Sequence, residues 1–299
     1  MKLIVICGPT ASGKSDAAVK IAQELNAEII NADSMQIYKG MDIGTAKLTV
    51  EERAGIPHHL LDVIDVRSDA TVAWYQETAR TNISEIHGRG KDVVIVGGTG
   101  LYIKAILDEL NFPETDPVVR ARLELEAVER GIAELFSRLE RLDPEAAASI
   151  DRANSRRVIR ALEVIEITGK PFTANLPRQE SSLYPGAMQF GLRVDRQILR
   201  ERVSERVDSM WNKGFISEVE ALVESGIREG VTAQKAIGYS QILQHLAGEI
   251  SEEQAREETK IATRQYIRRQ ETWFNRDERI DWIDANPQTA SEILKRINS

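Results

Sequence analysis

The run Gly8-Pro9-Thr10-Ala11-Ser12-Gly13-Lys14-Ser15 fits G-x-x-x-x-G-K-[S/T] in full. It follows an apolar stretch, Leu3-Ile4-Val5-Ile6-Cys7, and leads directly into a helical pattern from Asp16 to Leu25. A strand that turns through glycines into a helix points backbone N–H groups inward and presents the positive end of the helix to an anion. Lys14 adds a charge for phosphate oxygens, and Ser15 offers a hydroxyl to Mg²⁺. The motif therefore predicts a phosphate-binding loop made of residues 8–15; the alternative is a glycine turn that binds nothing.

Further short apolar runs follow at Glu28–Asn31, Leu60–Ile64 and Val93–Val96, with helical patterns between them. That alternation predicts parallel strands joined by crossover helices. Unbroken runs such as Val93-Val94-Ile95-Val96 belong to strands covered on both faces. The expected fold is α/β: a doubly wound parallel sheet of the P-loop NTPase type with an all-helical insertion. The character changes after Phe112-Pro113, where Asp116-Pro117 and Asp143-Pro144 are helix starts and Gly169-Lys170-Pro171 is a stop. A strand is expected again at Met188–Val194, then one long amphipathic helix from Gln197 to Val223, a helix from Glu252 to Phe274 and a last strand at Arg279–Ile283. The expected domains are a catalytic core of residues 1–113 and 186–299 and an inserted helical domain of residues 114–185.

Over 299 residues the formal net charge is −8, which argues against a generic nucleic-acid binder. Two segments run against that balance: Arg152, Arg156, Arg157 and Arg160, and Arg264, Arg268, Arg269 and Arg276. No stretch approaches the roughly 20 apolar residues of a membrane helix, and no signal peptide is recognisable. Cys7 is the single cysteine, which suits a reducing cytosol and a structural thiol.

A phosphate loop alone does not say what carries the phosphates. The aspartate that many NTPases place at the end of a later strand to hold Mg²⁺ is absent after Val93–Val96, where Gly97-Gly98-Thr99-Gly100 follows. The second strand instead runs into Asp33-Ser34, putting Asp33 at a carboxyl strand end, where ligands bind in such sheets. Asp33 is a candidate base, or else a cap or turn residue. The polar, glycine-bearing stretch from Asp33 to Lys47 is too long for a tight connection and reads as substrate-touching. His58 and His59 lack a partner at metal-ligand spacing and read as structural.

Taken together, GPTASGKS, ADSMQIYKGMDIGTAK, PHHLLDV, VGGTGLY, SRRVIRALEV (Ser155–Val164), AIGYSQ (Ala236–Gln241) and TRQYIRRQETWF (Thr263–Phe274) span nearly the whole chain. They resemble the bacterial tRNA dimethylallyltransferase family. The resemblance implies transfer of a dimethylallyl group from dimethylallyl diphosphate to the exocyclic N6 amine of the adenosine that follows the anticodon, with diphosphate leaving. It implies that Gly8 to Ser15 hold a diphosphate rather than ATP, with Mg²⁺ bridging to Ser15. It puts Thr10, Asp33 and Arg206 at the reacting centre, with Asp33 accepting a hydrogen bond or proton from the amine. Ser34, Met35, Gln36, Thr99, Arg120, Lys235, Gly238 and Tyr239 are implied tRNA contacts. Arg156, Arg157 and Arg160, at helical spacing, would track the backbone of the anticodon stem-loop. Arg268 and Arg269, with Trp273 and Phe274 as stacking surfaces, would meet an extruded base. One departure is Ser240, where the family's pattern often has an arginine. A cytoplasmic monomer without membrane contact is expected. Apart from the resemblance, an ATP-using small-molecule kinase with Asp33 as base is the competing reading.

Overall fold

The computed structural model describes residues 1–175 and 182–299; residues 176–181, within the expected insertion, lie outside the described set. These residues form two compact units, Met1–Leu107 with Tyr184–Ser299, and Asp108–Leu183.

The first unit opens with β1 (Leu3–Cys7), α1 (Lys14–Leu25), β2 (Glu28–Asn31), β3 (His58–His59), α2 (Val72–Gly88), β4 (Val93–Gly97) and α3 (Gly100–Leu107). The second unit holds α4 (Pro117–Arg130), α5 (Ile132–Leu142), α6 (Pro144–Ser149) and α7 (Ser155–Thr168). The first unit resumes with β5 (Met188–Arg193), α8 (Arg196–Asn212), α9 (Phe215–Glu224), α10 (Tyr239–Leu246), α11 (Glu252–Phe274), β6 (Ile280–Asp284) and α12 (Thr289–Ile297).

The six strands make a single sheet in the order β3-β2-β4-β1-β5-β6, with every neighbouring pair parallel. Alternate residues of a strand face opposite ways. Ile4 and Ile6 of β1 pack with Ala18 and Ile21 of α1 and Ile293 of α12, whereas Leu3, Val5 and Cys7 pack with Ile83 of α2 and Ile103 and Ile106 of α3. Helices thus cover both faces, which is why these strands read as unbroken apolar runs. Burial, with Asp277 adding, pushes the Cys7 thiol up to about 12, so this sulfur stays protonated and inert.

Several expectations are corrected. Leu60–Ile64 is not a strand, because Leu60 and Asp62 adopt φ of 60° and 55°, and left-handed residues break the pleat. The strand is instead the pair His58–His59, set against Ile29 and Ile30. The expected helix from Gln197 to Val223 is two helices, parted at Gly214 with φ 91°. The apolar period continues across the break because Val207, Trp211, Phe215 and Val219 share one core. Helices α3, α10 and α12 were not expected.

His59 Nε2 lies 2.7 Å from the buried Glu28 carboxylate, which Arg89 (2.7 Å) and Lys91 (3.3 Å) also contact. Burial alone would raise the pKa of Glu28, but hydrogen bonds from Arg89, His59 and Lys91 outweigh it and bring the value from 4.5 down to about 2. A carboxylate depressed on folding stabilises the native state above its unfolded value, and that contribution is lost as pH falls through the folded one. Glu28→Gln should therefore lower stability by about 2 kcal/mol at pH 7. In urea melts the gap from wild type should shrink between pH 4.5 and about 2; a gap constant across that range would contradict the assignment.

In the second unit the Asp-Pro starts act as foreseen. The Asp116 carboxylate accepts the N–H groups of Val118 and Val119 at the head of α4, and Asp143 accepts that of Ala146 in α6. Leu123, Leu135, Leu139, Val158 and Leu162 form its core. Within it the fully buried Glu163 takes hydrogen bonds from both Arg120 and Arg160.

Candidate active site

The loop after β1 curls because Ala11 and Gly13 take positive φ, 66° and 82°, which turns successive N–H groups to one side. Its following helix starts at Lys14, so Gly13 caps it without a side chain. Lys14 Nζ donates to the Pro9 carbonyl at 3.2 Å, folding the side chain back over the loop. Burial lowers the Lys14 ammonium to about 8; Asp33 opposes that shift and Arg206 adds to it. Such a desolvated cation gains more from an arriving anion than a solvated one does.

Asp33 stands just beyond the carboxyl end of β2. The buried Asn31 fixes it: the Asn31 carboxamide accepts the Asp33 N–H (3.0 Å) and donates to the Asp33 and Leu60 carbonyls (3.0 Å each). Asp33 Oδ1 accepts the Met35 N–H at 2.9 Å, so the carboxylate also makes the turn that the sequence offered as an alternative. Beside it, Ser34 N–H donates to Thr99 Oγ1 at 3.1 Å, and Thr99 N–H donates to the Ala32 carbonyl at 3.1 Å. These bonds tie the ends of β2 and β4 into one platform.

Two cavities open over this platform. The smaller, about 110 Å³, is lined by Thr10, Lys14, Ser15, Asp16, Asp33 and Arg206. The larger, about 280 Å³, shares Thr10, Asp33 and Arg206 and continues to Met210, Phe215 and Tyr266. Arg206 projects from α8 and makes no ion pair among the described residues; burial lowers its pKa, while Asp16 and Asp33 favour its charge. The small cavity is polar and lysine-bearing, the large one mostly apolar. An anion with an apolar tail fits across the two.

The other expected residues fall into several places. Ser34, Met35 and Lys235 line the large cavity and Gln36 the small one. Tyr239 also lines the large cavity, but it is fully buried with its hydroxyl donated to Glu218 at 2.6 Å. Gly238 caps α10, its N–H bonded to Gln241, to which Ser240 also donates. Arg269 lines the large cavity, whereas Arg268 lines a separate cleft of about 400 Å³ with Arg196, Arg200 and Arg264. Trp273 is 41% exposed, but Phe274 is in the core beneath the sheet, so only the tryptophan is free to stack. On α7, Arg156 and Arg157 are exposed. Arg160 is engaged with Glu163 and the carbonyls of Pro113 and Glu114, and Arg120 with Glu163.

The sequence matches the profile of the IPP transferase family over residues 36–277. The chain belongs to the IPP transferase family. It is 56% identical to the tRNA dimethylallyltransferase of Thermobifida fusca, over 98% of this chain and 92% of that one, and 54% identical to that of Streptomyces griseus, over 99% and 94%. In structure it resembles the full-length tRNA isopentenylpyrophosphate transferase of Bacillus halodurans, with TM-score 0.73, 40% identity and coverage of 99% and 95%. It also resembles a eukaryotic dimethylallyltransferase described as acting on tRNA, with TM-score 0.81, 28% identity and coverage of 98% and 77%. The small-molecule kinase alternative finds no support in these likenesses.

For an IPP transferase family member, the donor set bears on magnesium. No group of three or more His, Cys, Asp or Glu side chains among the described residues is placed to hold a metal. Mg²⁺ takes one or two protein oxygens and completes its shell with phosphate oxygens and water. Ser15, which lines the small cavity with Asp16 and Asp33, fits that pattern.

Sequence reasoning missed several residues of this candidate site: Asn31, Met210, Phe215, Glu218, Tyr266 and Gln270. Thr259, Thr263, Tyr266 and Gln270 recur at steps of three and four along α11 and so mark one face, a signal overshadowed by the arginines beside it. Glu218 carried no local signal. Its carboxylate accepts the N–H groups of Asp42, Ile43 and Gly44, a contact that exists only once the chain has folded.

Proposed function

We propose that this chain transfers the dimethylallyl group of dimethylallyl diphosphate to the exocyclic N6 amine of the adenosine 3′ to the anticodon of tRNA, releasing diphosphate. The observation that carries the reading is the convergence of Thr10, Asp33 and Arg206 where a polar, lysine-bearing cavity meets a larger, partly apolar one. In this reading the sheet is of the P-loop NTPase type with residues 1–113 and 186–299 as catalytic core, and the helical insertion of residues 114–185 grips the anticodon stem-loop. The chain acts as a cytoplasmic monomer.

The Thr10–Ser15 loop holds the diphosphate, and the dimethylallyl tail extends into the larger cavity towards Met210 and Phe215. The bond from the tail's first carbon to the bridging oxygen breaks, and its electron pair leaves with diphosphate. The N6 lone pair forms the new carbon–nitrogen bond, and the surplus proton passes to Asp33. That lone pair is delocalised into the ring, so a placed acceptor helps by about 10²–10⁴-fold. Lys14 and Arg206 meet the charge that grows on the leaving oxygens; fixed donors of this kind need no reorganisation at the moment of reaction. Mg²⁺, held by Ser15 and the diphosphate, would supply further neutralisation there.

Incubation with labelled dimethylallyl diphosphate, Mg²⁺ and unmodified tRNA, without ATP, should label the tRNA. No labelling, with ATP turnover on a small acceptor instead, would overturn the reading. Replacing Arg156 and Arg157 together by Ala should weaken tRNA binding and flatten the slope of log affinity against log salt by about 2, roughly one per lost phosphate contact. Filter binding across a salt series measures this, and an unchanged slope would remove α7 from the RNA path.

A further inference from the structure

Gln270 lies near the C-terminal end of α11, 4% exposed, and both ends of its carboxamide are used. Oε1 accepts the Thr10 N–H at 2.9 Å, and Nε2 donates to the Gly98 carbonyl at 2.9 Å. One partner belongs to the phosphate loop. The other precedes Thr99, whose hydroxyl accepts the Ser34 N–H next to Asp33. A single side chain therefore spans the two loops that converge on the cavities, Thr10 on one side and the Thr99–Ser34–Asp33 platform on the other.

The helix has no slack at this point. A Cβ at Gly98 would come within 2.2 Å of Gln270 Nε2, and one at Gly100 within 2.1 Å of the Trp273 ring. Both distances are far inside van der Waals contact, so the loop bears on α11 only because these two positions have no side chain. Tyr266, one turn before Gln270, lines the larger cavity. Gln270 thus occupies the position from which α11 can set the spacing of both loops.

We propose that Gln270 is a positioning residue for transfer: its carboxamide fixes the separation of Thr10, on the loop that receives the diphosphate, from Asp33, which receives the amine's proton. The proposal rests on the transfer reading above. The donor carbon and acceptor nitrogen must close to about 3–3.5 Å in line, and a misplacement of about 1 Å costs on the order of 100-fold in rate. Only an acceptor and a donor on one amide, at this length, satisfy the Thr10 N–H and the Gly98 carbonyl together.

The test uses Gln270→Leu, which keeps the volume and loses both hydrogen bonds, and Gln270→Asn, which keeps the amide and is a methylene too short. Single-turnover transfer to tRNA should slow by about 100-fold in each, while the dissociation constants for tRNA and for dimethylallyl diphosphate move less than threefold. If Gln270 only filled space, Leu would preserve the rate, and a Gln270→Leu rate within threefold of wild type would overturn the proposal. So would a loss of substrate affinity equal to the loss of rate. Should one variant not fold, the other decides the question by the same rate and affinity measurements. Wild type in the same assay separates the two claims: transfer by wild type with undiminished transfer by Gln270→Leu removes the positioning role alone, whereas no transfer by wild type removes the proposed function and this role with it.

Discussion

Asp33→Asn should lower the single-turnover rate of prenyl transfer by about 10³-fold, within the range expected for a lost general base, while tRNA affinity stays within about twofold. Asn is the informative replacement because Asp33 has two tasks. Its Oδ1 accepts the Met35 N–H, and an asparagine oxygen in the same place keeps that turn. What Asn cannot do is take a proton from the amine. Asn31 continues to hold the backbone of residue 33 through two hydrogen bonds and is itself anchored to the Leu60 carbonyl by a third, so the loop should keep its course. Asp33→Ala removes both tasks and should cost stability as well. The assignment fails if Asp33→Asn transfers at the wild-type rate, or if its loss is accounted for by weaker tRNA binding.

Arg206→Ala should lower the rate by about 10²–10³-fold, the usual range for removing one donor aimed at developing charge. Dimethylallyl diphosphate affinity should weaken much less. Its half-buried guanidinium makes no ion pair among the described residues, and burial disfavours its charge. Its removal should accordingly leave the melting temperature unchanged or slightly raised, a direction opposite to that for a structural arginine such as Arg160, which is bound to Glu163. Arg206→Lys keeps the charge but loses the planar fork, and should recover less than a tenth of the lost rate. A drop in melting temperature that parallels the loss of activity would mark Arg206 as a packing residue instead.

Much of the sheet was readable from the chain because strands buried on both faces leave an unbroken apolar signature, as β1 and β4 do. The same signature misled at Leu60–Ile64, where left-handed φ at Leu60 and Asp62 breaks the strand and no local pattern announces it. It was silent at β3, whose two histidines pair with β2 through the backbone and through the contact of His59 with Glu28, neither of which an apolar pattern announces. Helix α3 was hidden by the glycines before it, which read as a turn. The curled loop after β1 was legible because its residues are consecutive in sequence. The place of Asp33 beside the two cavities was legible because the end of β2 was, and both its turn bond and its lining position follow from that place. Asn31, Glu218 and Gln270 were not, since each acts by joining segments distant in the chain: Gln270 is 260 positions from Thr10. The roles of Arg120 and Arg160 depend on Glu163, which helical spacing alone did not single out as their partner.

An open six-stranded sheet has two margins along which a second chain can add a strand. Here one margin is β3, only two residues long. The other is β6, where exposed aspartates, Asp281 and Asp284, stand among its five residues and Arg296 closes over Asp281. A short border and a charged border are both poor templates for strand addition. The architecture that brings the glycine-bearing loop and a carboxylate together at the strand ends thus leaves neither flank of the sheet suited to strand addition.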